Sequence, residues 1–256
     1  PEVVEVRLVA PGCNELTGIW ERTILVYADR DSQPAVFLLS SEALGPKRIT
    51  VDFNHKGRMI GTLAFKTEVA ADVTGPGQPI APETQPEVLV PTGDVPPAAD
   101  LELRVTRTAQ SNVLSFMLTS TRPGVPFRSQ PVGQVTLGSA DPQSFLTQYL
   151  DRLSALAGAD MGSKAEQERN AADTAALGEE LFEHLLPPEL QRIYWSQIKP
   201  LRDQGVITTL LVNSDEPWIP WELIKPFRFD DASGVEEKDS FWVEAFVFSR
   251  WLARPL

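Results

Sequence analysis

The side chains best suited to covalent chemistry are one cysteine, Cys13, and two histidines, His55 and His184. A cysteine thiolate activated by a histidine base is the nucleophile of cysteine proteases. Cys13 lies in an N-terminal Pro-Gly-Cys-Asn turn, about 170 residues before His184, and His55 falls in a predicted hairpin turn, where we expect it to be solvated. We expect His184 on a helix surface and an incidental thiol at Cys13, and hence no catalytic residue in this chain.

Metal and cofactor sites need clusters that this sequence does not supply. Structural zinc prefers cysteine-rich ligand sets, and a zinc site here would need carboxylates together with both histidines. The acidic stretch 230–239 lacks the ligand spacing of an EF-hand loop. No helix follows the Gly-Pro-Gly at 75–77 to offer its amides to a phosphate. We therefore predict no metal site and no cofactor.

Two tryptophans and a glutamate in the C-terminal third offer another kind of site. Trp218 and Trp221 could form an aromatic platform for a carbohydrate, but packing in the core under a strand is the favoured interpretation. Glu222 could act as a general acid, yet paired catalytic carboxylates need a partner that the sequence does not identify. We expect Glu222 to cap or pair locally.

The composition argues against two classes of partner. The formal net charge of −12 repels phosphate backbones, and the nearest approach to a basic patch, Arg22 to Arg30, alternates with acidic residues. No apolar run approaches the ~18 residues that would cross a membrane, and the N-terminus has no signal-peptide pattern. A single cysteine fits a reducing compartment. We expect a cytoplasmic protein that binds neither nucleic acid nor membrane.

The elements that must position these residues change in character along the chain. Alternating or β-branched runs predict strands at 4–9, 22–27, 47–53 and 58–65, with a hairpin turn at 54–57. Seven prolines make residues 75–98 a linker or a long surface loop. Strands resume at 100–107, 112–118 and 132–137, either as a second small sheet or as the completion of a first sandwich.

From about residue 139 the apolar period becomes helical. Helices are predicted to about 158, around the stripe Leu177 to Leu186, and from Pro188 to Ile198. The apolar run 205–213 is typical of a strand buried on both faces in a parallel sheet. We predict an α+β chain with an N-terminal antiparallel β-sandwich-like module at 1–137, followed at 138–256 by helices and the first part of an α/β parallel sheet.

Four short segments lie around this strand, two before it and two after it. The segments are Leu177-Gly178-Glu179-Glu180-Leu181-Phe182, Leu186-Pro187-Pro188-Glu189-Leu190, Ile219-Pro220-Trp221-Glu222-Leu223 and Phe246-Val247-Phe248-Ser249-Arg250. In this order they resemble the start of CHAT domains, the caspase-like protease modules of many bacterial proteins. The resemblance covers roughly residues 170–252. A looser resemblance links residues 1–137 to the strand-rich modules that precede such domains in bacterial defence proteins.

The resemblance implies a cysteine protease whose catalytic His and Cys lie downstream of the Pro-Trp-Glu-Leu element. Neither can be assigned to a residue here, so the expected partner is the remaining catalytic half or another protein. The alternative is a non-catalytic adaptor with a degenerate CHAT-like scaffold. A third interpretation, a carbohydrate-binding or generic sandwich module with a helical appendage, leaves the four C-terminal segments unexplained.

Overall fold

The structure is a computed structural model. It describes residues 1–71, 80–83, 90–91, 97–107, 112–138, 142–157, 163–216, 218–230 and 234–252. Most of the proline-rich stretch 75–98 lies outside these residues. The fold is α+β, as predicted, with antiparallel sheets, one mixed sheet and a set of helices.

The predicted strands and helices occur in the predicted order, and four short strands that were not predicted, at 14–15, 39–40, 227–230 and 235–238, add to them. The strands are β1 (Glu2–Val9), β2 (Asn14–Glu15), β3 (Glu21–Val26), β4 (Leu39–Ser40), β5 (Gly45–His55), β6 (Arg58–Val69), β7 (Leu101–Arg107), β8 (Val113–Thr119), β9 (Gln130–Thr136), β10 (Thr209–Ser214), β11 (Phe227–Asp230), β12 (Val235–Lys238) and β13 (Val247–Leu252). The helices are α1 (Pro142–Ala157), α2 (Lys164–Leu185), α3 (Pro188–Ile193), α4 (Lys199–Asp203) and α5 (Trp242–Ala245).

A four-stranded antiparallel sheet forms the N-terminal part, in the order β3-β1-β5-β6. The predicted hairpin is confirmed, because β5 and β6 pair along their length around a turn at Lys56 and Gly57, both with positive φ. Arg7 lies opposite Glu21 on one side and Asp52 on the other, and Asp52 lies opposite Thr62. Directly opposed residues share a face, so a row of polar side chains crosses this sheet.

The second sheet has five strands in the order β13-β10-β7-β8-β9. β10 is parallel to both of its neighbours, while β8 is antiparallel to β7 and β9. The prediction that the parallel sheet starts within residues 138–256 was wrong, because the strand predicted at 205–213 is β10, which lies inside the sheet between β13 and the earlier strand β7. The strands from 101 to 136 neither form a sheet of their own nor complete the first one. The sheet therefore draws strands from both sides of the boundary predicted between residues 137 and 138.

The main apolar core lies between one face of the five-stranded sheet and the helices. Leu101, Leu103 and Val105 of β7 are at most 1 % exposed there. The stripe predicted for α2 is confirmed, since Leu177, Leu181, Phe182 and Leu185 are buried in the same core. The capping box of Ser163 and Glu166 begins this helix.

The segment predicted as a third helix contains a change of helical period. α3 continues through a π-helical turn, Tyr194–Ile198, into α4, which ends at Asp203. Residues 241–252 contain both a helix and a strand, because the short α5 leads into β13. Within the described ranges no helix is long and apolar enough to cross a membrane.

Candidate functional site

His55 is buried, and the prediction of a solvated turn residue was wrong. Only 1 % of the residue is exposed, Nδ1 lies 2.9 Å from the Val3 carbonyl oxygen, and Nε2 lies 3.5 Å from a carboxylate oxygen of Glu2. The turn begins two residues later than expected, at Lys56, so His55 is the last residue of β5 and packs beside β1.

Cys13 and His184 belong to different parts of the molecule. Cys13 is half-buried and lines a cavity of about 380 Å³ between the turn after β1 and the strands β8 and β9. His184 lies on α2, where its Nδ1 is 3.0 Å from the hydroxyl of Tyr149 on α1. Across the residues that the structure describes, no group of three or more His, Cys, Asp or Glu side chains could hold a metal ion.

The two tryptophans of the Pro-Trp-Glu-Leu region have different environments. Trp221 is fully buried and makes an edge-to-face contact with Phe116 of β8, with ring centroids 6.2 Å apart, so core packing is confirmed for it. Trp218 is 43 % exposed, so the same prediction was wrong there. Glu222 is paired, but with a residue 28 positions along the chain rather than a local one, since a carboxylate oxygen lies 3.4 Å from Nη1 of Arg250.

Gly178 joins the first CHAT-like segment to the third. The N–H of Lys225 donates to the Gly178 carbonyl at 3.1 Å, so the chain leaving Leu223 crosses directly over α2. A Cβ atom at position 178 would lie 2.5 Å from the backbone oxygen of Leu223. Since no Cβ is found that close to a backbone oxygen, this crossing needs glycine in the helix.

Arg250 joins the fourth segment to the third. Its Nη1 donates to the carbonyl oxygen of Ile219 at 3.0 Å and faces Glu222 on the same segment. Leu186 and Leu190, from the second segment, are buried in the core that holds Trp221. The four segments therefore form one packed unit around the helical face of the five-stranded sheet.

A row of ion pairs joins the two large sheets on the opposite face. Nη1 of Arg7 donates to Glu102 at 2.9 Å, and Nε of Arg104 donates to Asp52 at 3.1 Å. Nη1 of Arg104 also lies 3.1 Å from Asp215, just beyond the end of β10. Both arginines are at most 2 % exposed, so the two sheets meet through buried charges.

Each buried charge in this row has an opposite charge close by. Burial lowers the pKa of Arg104, but Asp52, Asp215 and Glu102 outweigh it and raise that pKa above its ordinary value. Burial likewise opposes ionisation of Glu102, yet Arg7 holds its pKa below the ordinary value. Asp215 differs, because burial raises its pKa in spite of Arg104. The arrangement holds the two sheets together as fixed, paired charges.

Sequence reasoning missed this row of charges entirely. The available signal was a charged residue within an apolar run, as at Arg7 in Val6-Arg7-Leu8, and an alternating strand with two charges on one face, as at Glu102 and Arg104 of β7. Such charges are ordinarily solvated. Their burial depends on contacts between strands far apart in the chain, which the local pattern does not contain.

The edge of the five-stranded sheet at β13 borders a groove of about 450 Å³. Its floor comes from β10 and β13, and one wall is the tip of the β5–β6 hairpin. Val247 is 72 % exposed and Trp251 is 62 % exposed in this region. Exposed apolar side chains beside a strand edge are typical of interaction surfaces.

Three comparisons bear on the relatives of this chain. No protein-family model matches it, and neither a curated protein nor a solved structure does. A functional interpretation therefore depends on the residues and their geometry.

Proposed function

We propose that this chain is the N-terminal, recognition or regulatory part of a caspase-like CHAT cysteine protease of a bacterial defence system in the cytoplasm. Residues outside this chain would supply the catalytic His and Cys. The observation that carries the proposal is the mutual contact of the four CHAT-like segments in one packed unit.

The contacts give each segment a physical reason for its residue types. The glycine of the first segment allows the chain after the Pro-Trp-Glu-Leu element to cross α2, and the arginine of the fourth binds the backbone of the third. Chance matches scattered along a chain have no reason to meet in space. Their meeting supports one inherited unit, which the resemblance assigns to the start of a CHAT domain.

The N-terminal sheet is suited to a recognition or regulatory role because it is firmly joined to this unit. The pairs Arg7–Glu102 and Arg104–Asp52 fix the orientation of the two sheets. A partner that binds the N-terminal sheet would therefore act on β7 directly, which lies beside β10 in the CHAT-like sheet.

The alternative is a non-catalytic adaptor built on a degenerate CHAT-like scaffold. The observation that favours it is the groove beside β13, which offers exposed Val247 and Trp251 to a partner. An adaptor would use this surface without any contribution to peptide-bond hydrolysis.

The first measurement is the intact mass of the protein from its native source, together with the sequence of its full reading frame. For the protease we expect the frame to supply a His and then a Cys on later strand-like runs. The full-length protein should then cleave a test substrate or itself, and replacing that Cys by Ala should abolish cleavage.

A frame that supplies neither residue would overturn the protease proposal for this polypeptide and favour the adaptor. Cleavage that persists in the Cys-to-Ala variant would also overturn it. The control is a Cys13→Ala variant, which should cleave normally because Cys13 lies far along the chain from the four CHAT-like segments.

A further inference from the structure

The outer edge of β13 offers backbone groups that no described strand takes. The N–H of Val247 donates to the Thr208 carbonyl, so residues 247, 249 and 251 face β10. In a parallel strand the backbone groups of alternate residues point to opposite sides. Phe248 and Arg250 therefore direct their N–H and C=O groups away from the sheet, as a template for a further strand.

The groove beside this edge can hold the side chains of such a strand. β10 contributes Leu211 and Asn213, β13 contributes Val247 and Trp251, and the hairpin tip contributes Met59. Its volume of about 450 Å³ is in the range of pockets that hold several side chains. Main-chain pairing along the edge and apolar contacts in the groove are the two components of peptide binding by strand addition.

The charge of the rim indicates which peptide fits. Lys56 and Arg58 at the hairpin tip are both exposed, and among the described residues neither makes an ion pair and no carboxylate lines the groove. This local positive charge lies on a chain whose net charge is −12. Such a rim attracts carboxylates and disfavours cationic segments.

We propose that the groove binds an extended acidic segment of a partner protein, which adds to the edge of β13 as a further strand and places apolar side chains against Trp251 and Met59. This binding rests on the adaptor alternative and deepens it by naming the partner's chemistry, because the later strands of a protease half would take the same edge. A second copy of the chain fits less well, because it would bring another Lys56 and Arg58 to the same edge.

The test is selection of random ten-residue peptides, displayed on phage, against the purified chain. We expect selected sequences in which acidic residues alternate with apolar ones. Synthetic versions should bind Trp251→Ala and Arg58→Glu at least about tenfold more weakly than the native chain, since each removes one component of the site. N-methylation at alternate backbone positions of the peptide should cause a similar loss.

Matched variants keep the test specific. Phe229 on β11 is 63 % exposed, so Phe229→Ala removes an equally exposed aromatic ring elsewhere, and Lys164→Glu reverses an exposed charge on α2. Both should bind the peptides normally. Thermal unfolding of all four variants shows whether each is folded, as their exposure leads us to expect.

Three results would overturn the proposal. The first is selection without acidic enrichment, or peptides that bind Trp251→Ala as tightly as the native chain. The second is full affinity after N-methylation, which excludes strand addition. The third is a dimer in light scattering that Trp251→Ala abolishes, which assigns the edge to a second copy. None of these outcomes depends on the catalytic residues tested for the proposed function.

Discussion

The two faces of β7 are both buried, but one is apolar and the other is charged. Leu101, Leu103 and Val105 face the helices, while Glu102 and Arg104 face the N-terminal sheet. The first interface is held by apolar packing, which tolerates changes of shape that preserve volume. The second is held by ion pairs that must all be present, because a buried charge left alone is costly.

The difference indicates which face of β7 should tolerate substitutions and which should not. Removing apolar surface costs free energy in proportion to the volume lost, so the helical face should respond gradually. Replacing one member of a buried ion pair on the charged face leaves the other charge desolvated and unpaired. A single substitution there should therefore cause a large loss in the free energy of unfolding. Four substitutions test this contrast, in order of expected effect.

Arg104→Met should have the largest effect, lowering the free energy of unfolding by about 3–5 kcal/mol, because Asp52 and Asp215 lose their buried cation. Methionine keeps much of the volume, so the loss reports on charge. The measurement is urea unfolding at neutral pH. Leu103→Met, one residue away on the apolar face, should cost less than about 1.5 kcal/mol. Equal costs for the two variants would contradict the contrast.

Asp100→Asn should cost about 1–3 kcal/mol at neutral pH. The Asp100 carboxylate accepts hydrogen bonds from Thr208 N–H, Thr208 Oγ1 and Thr209 N–H, which join the start of β7 to β10, and it also pairs with Arg122. Although burial raises its pKa, these hydrogen bonds lower it from 3.8 to about 2.

The lowered pKa gives this prediction a sign in pH. The folded state holds the carboxylate ionised more firmly than the unfolded state does, so its stabilisation is present above pH 3.8 and is lost as the pH falls towards 2. The free energy of unfolding, measured between pH 5 and 2, should therefore depend less steeply on pH in Asp100→Asn than in the native chain. Asp173→Asn, on the exposed side of α2, should keep the pH dependence of the native chain. The same change of slope in both variants would contradict the assignment of this pH dependence to Asp100.

Gly178→Ala should cost about 1 kcal/mol or more, because the new Cβ would meet the Leu223 backbone oxygen. The direction is informative, since alanine in an ordinary helix position stabilises by about 1 kcal/mol relative to glycine. Ala172→Gly, at an exposed position of α2, should cost about 1 kcal/mol because glycine has the lower helix propensity. A stabilised Gly178→Ala variant would show that the crossing chain can move away.

Glu222→Ala should have the smallest effect, below about 1 kcal/mol, because its pair with Arg250 is about one third exposed. Chemical unfolding at low and at moderate salt measures it, and the small loss should shrink as salt rises. Glu189→Ala, which breaks the exposed pair with Arg192, is the matched comparison. A loss comparable to that of Arg104→Met would remove the distinction between buried and exposed pairs.

The sequence predicted the elements well because their signals are local. The alternating pattern of β7 is contained within seven residues, and the apolar stripe of α2 within a few helical turns. Strand partners were missed because β10 pairs with β7 and β13, and nothing within β10 itself specifies either neighbour. His55 was misplaced for a smaller reason, since β5 runs two residues further than predicted and so carries His55 into the interior beside β1.

The candidate sites divide in the same way. The four segments that resemble the start of CHAT domains are continuous stretches, so the resemblance could be drawn from the sequence, whereas their contact through Gly178 and Arg250 required the structure. The groove beside β13 combines residues from three distant stretches, including Met59 and Leu211, so no local pattern contains it. The acidic partner follows from the rim charges only once those stretches are brought together.

The placement of β7 beside β10 also sets an order of events on the ribosome. The N-terminal sheet is complete at Val69, but Arg104 and its Asn213 contact are 109 residues apart in the chain. At 5–20 residues per second, translation of that interval takes roughly 5–20 s, during which β7 has no β10 to pair with. The newly made N-terminal sheet can already offer Asp52 to Arg104 in that time. The charged face would then begin to assemble first during synthesis, while Asp215 and the apolar core would join last.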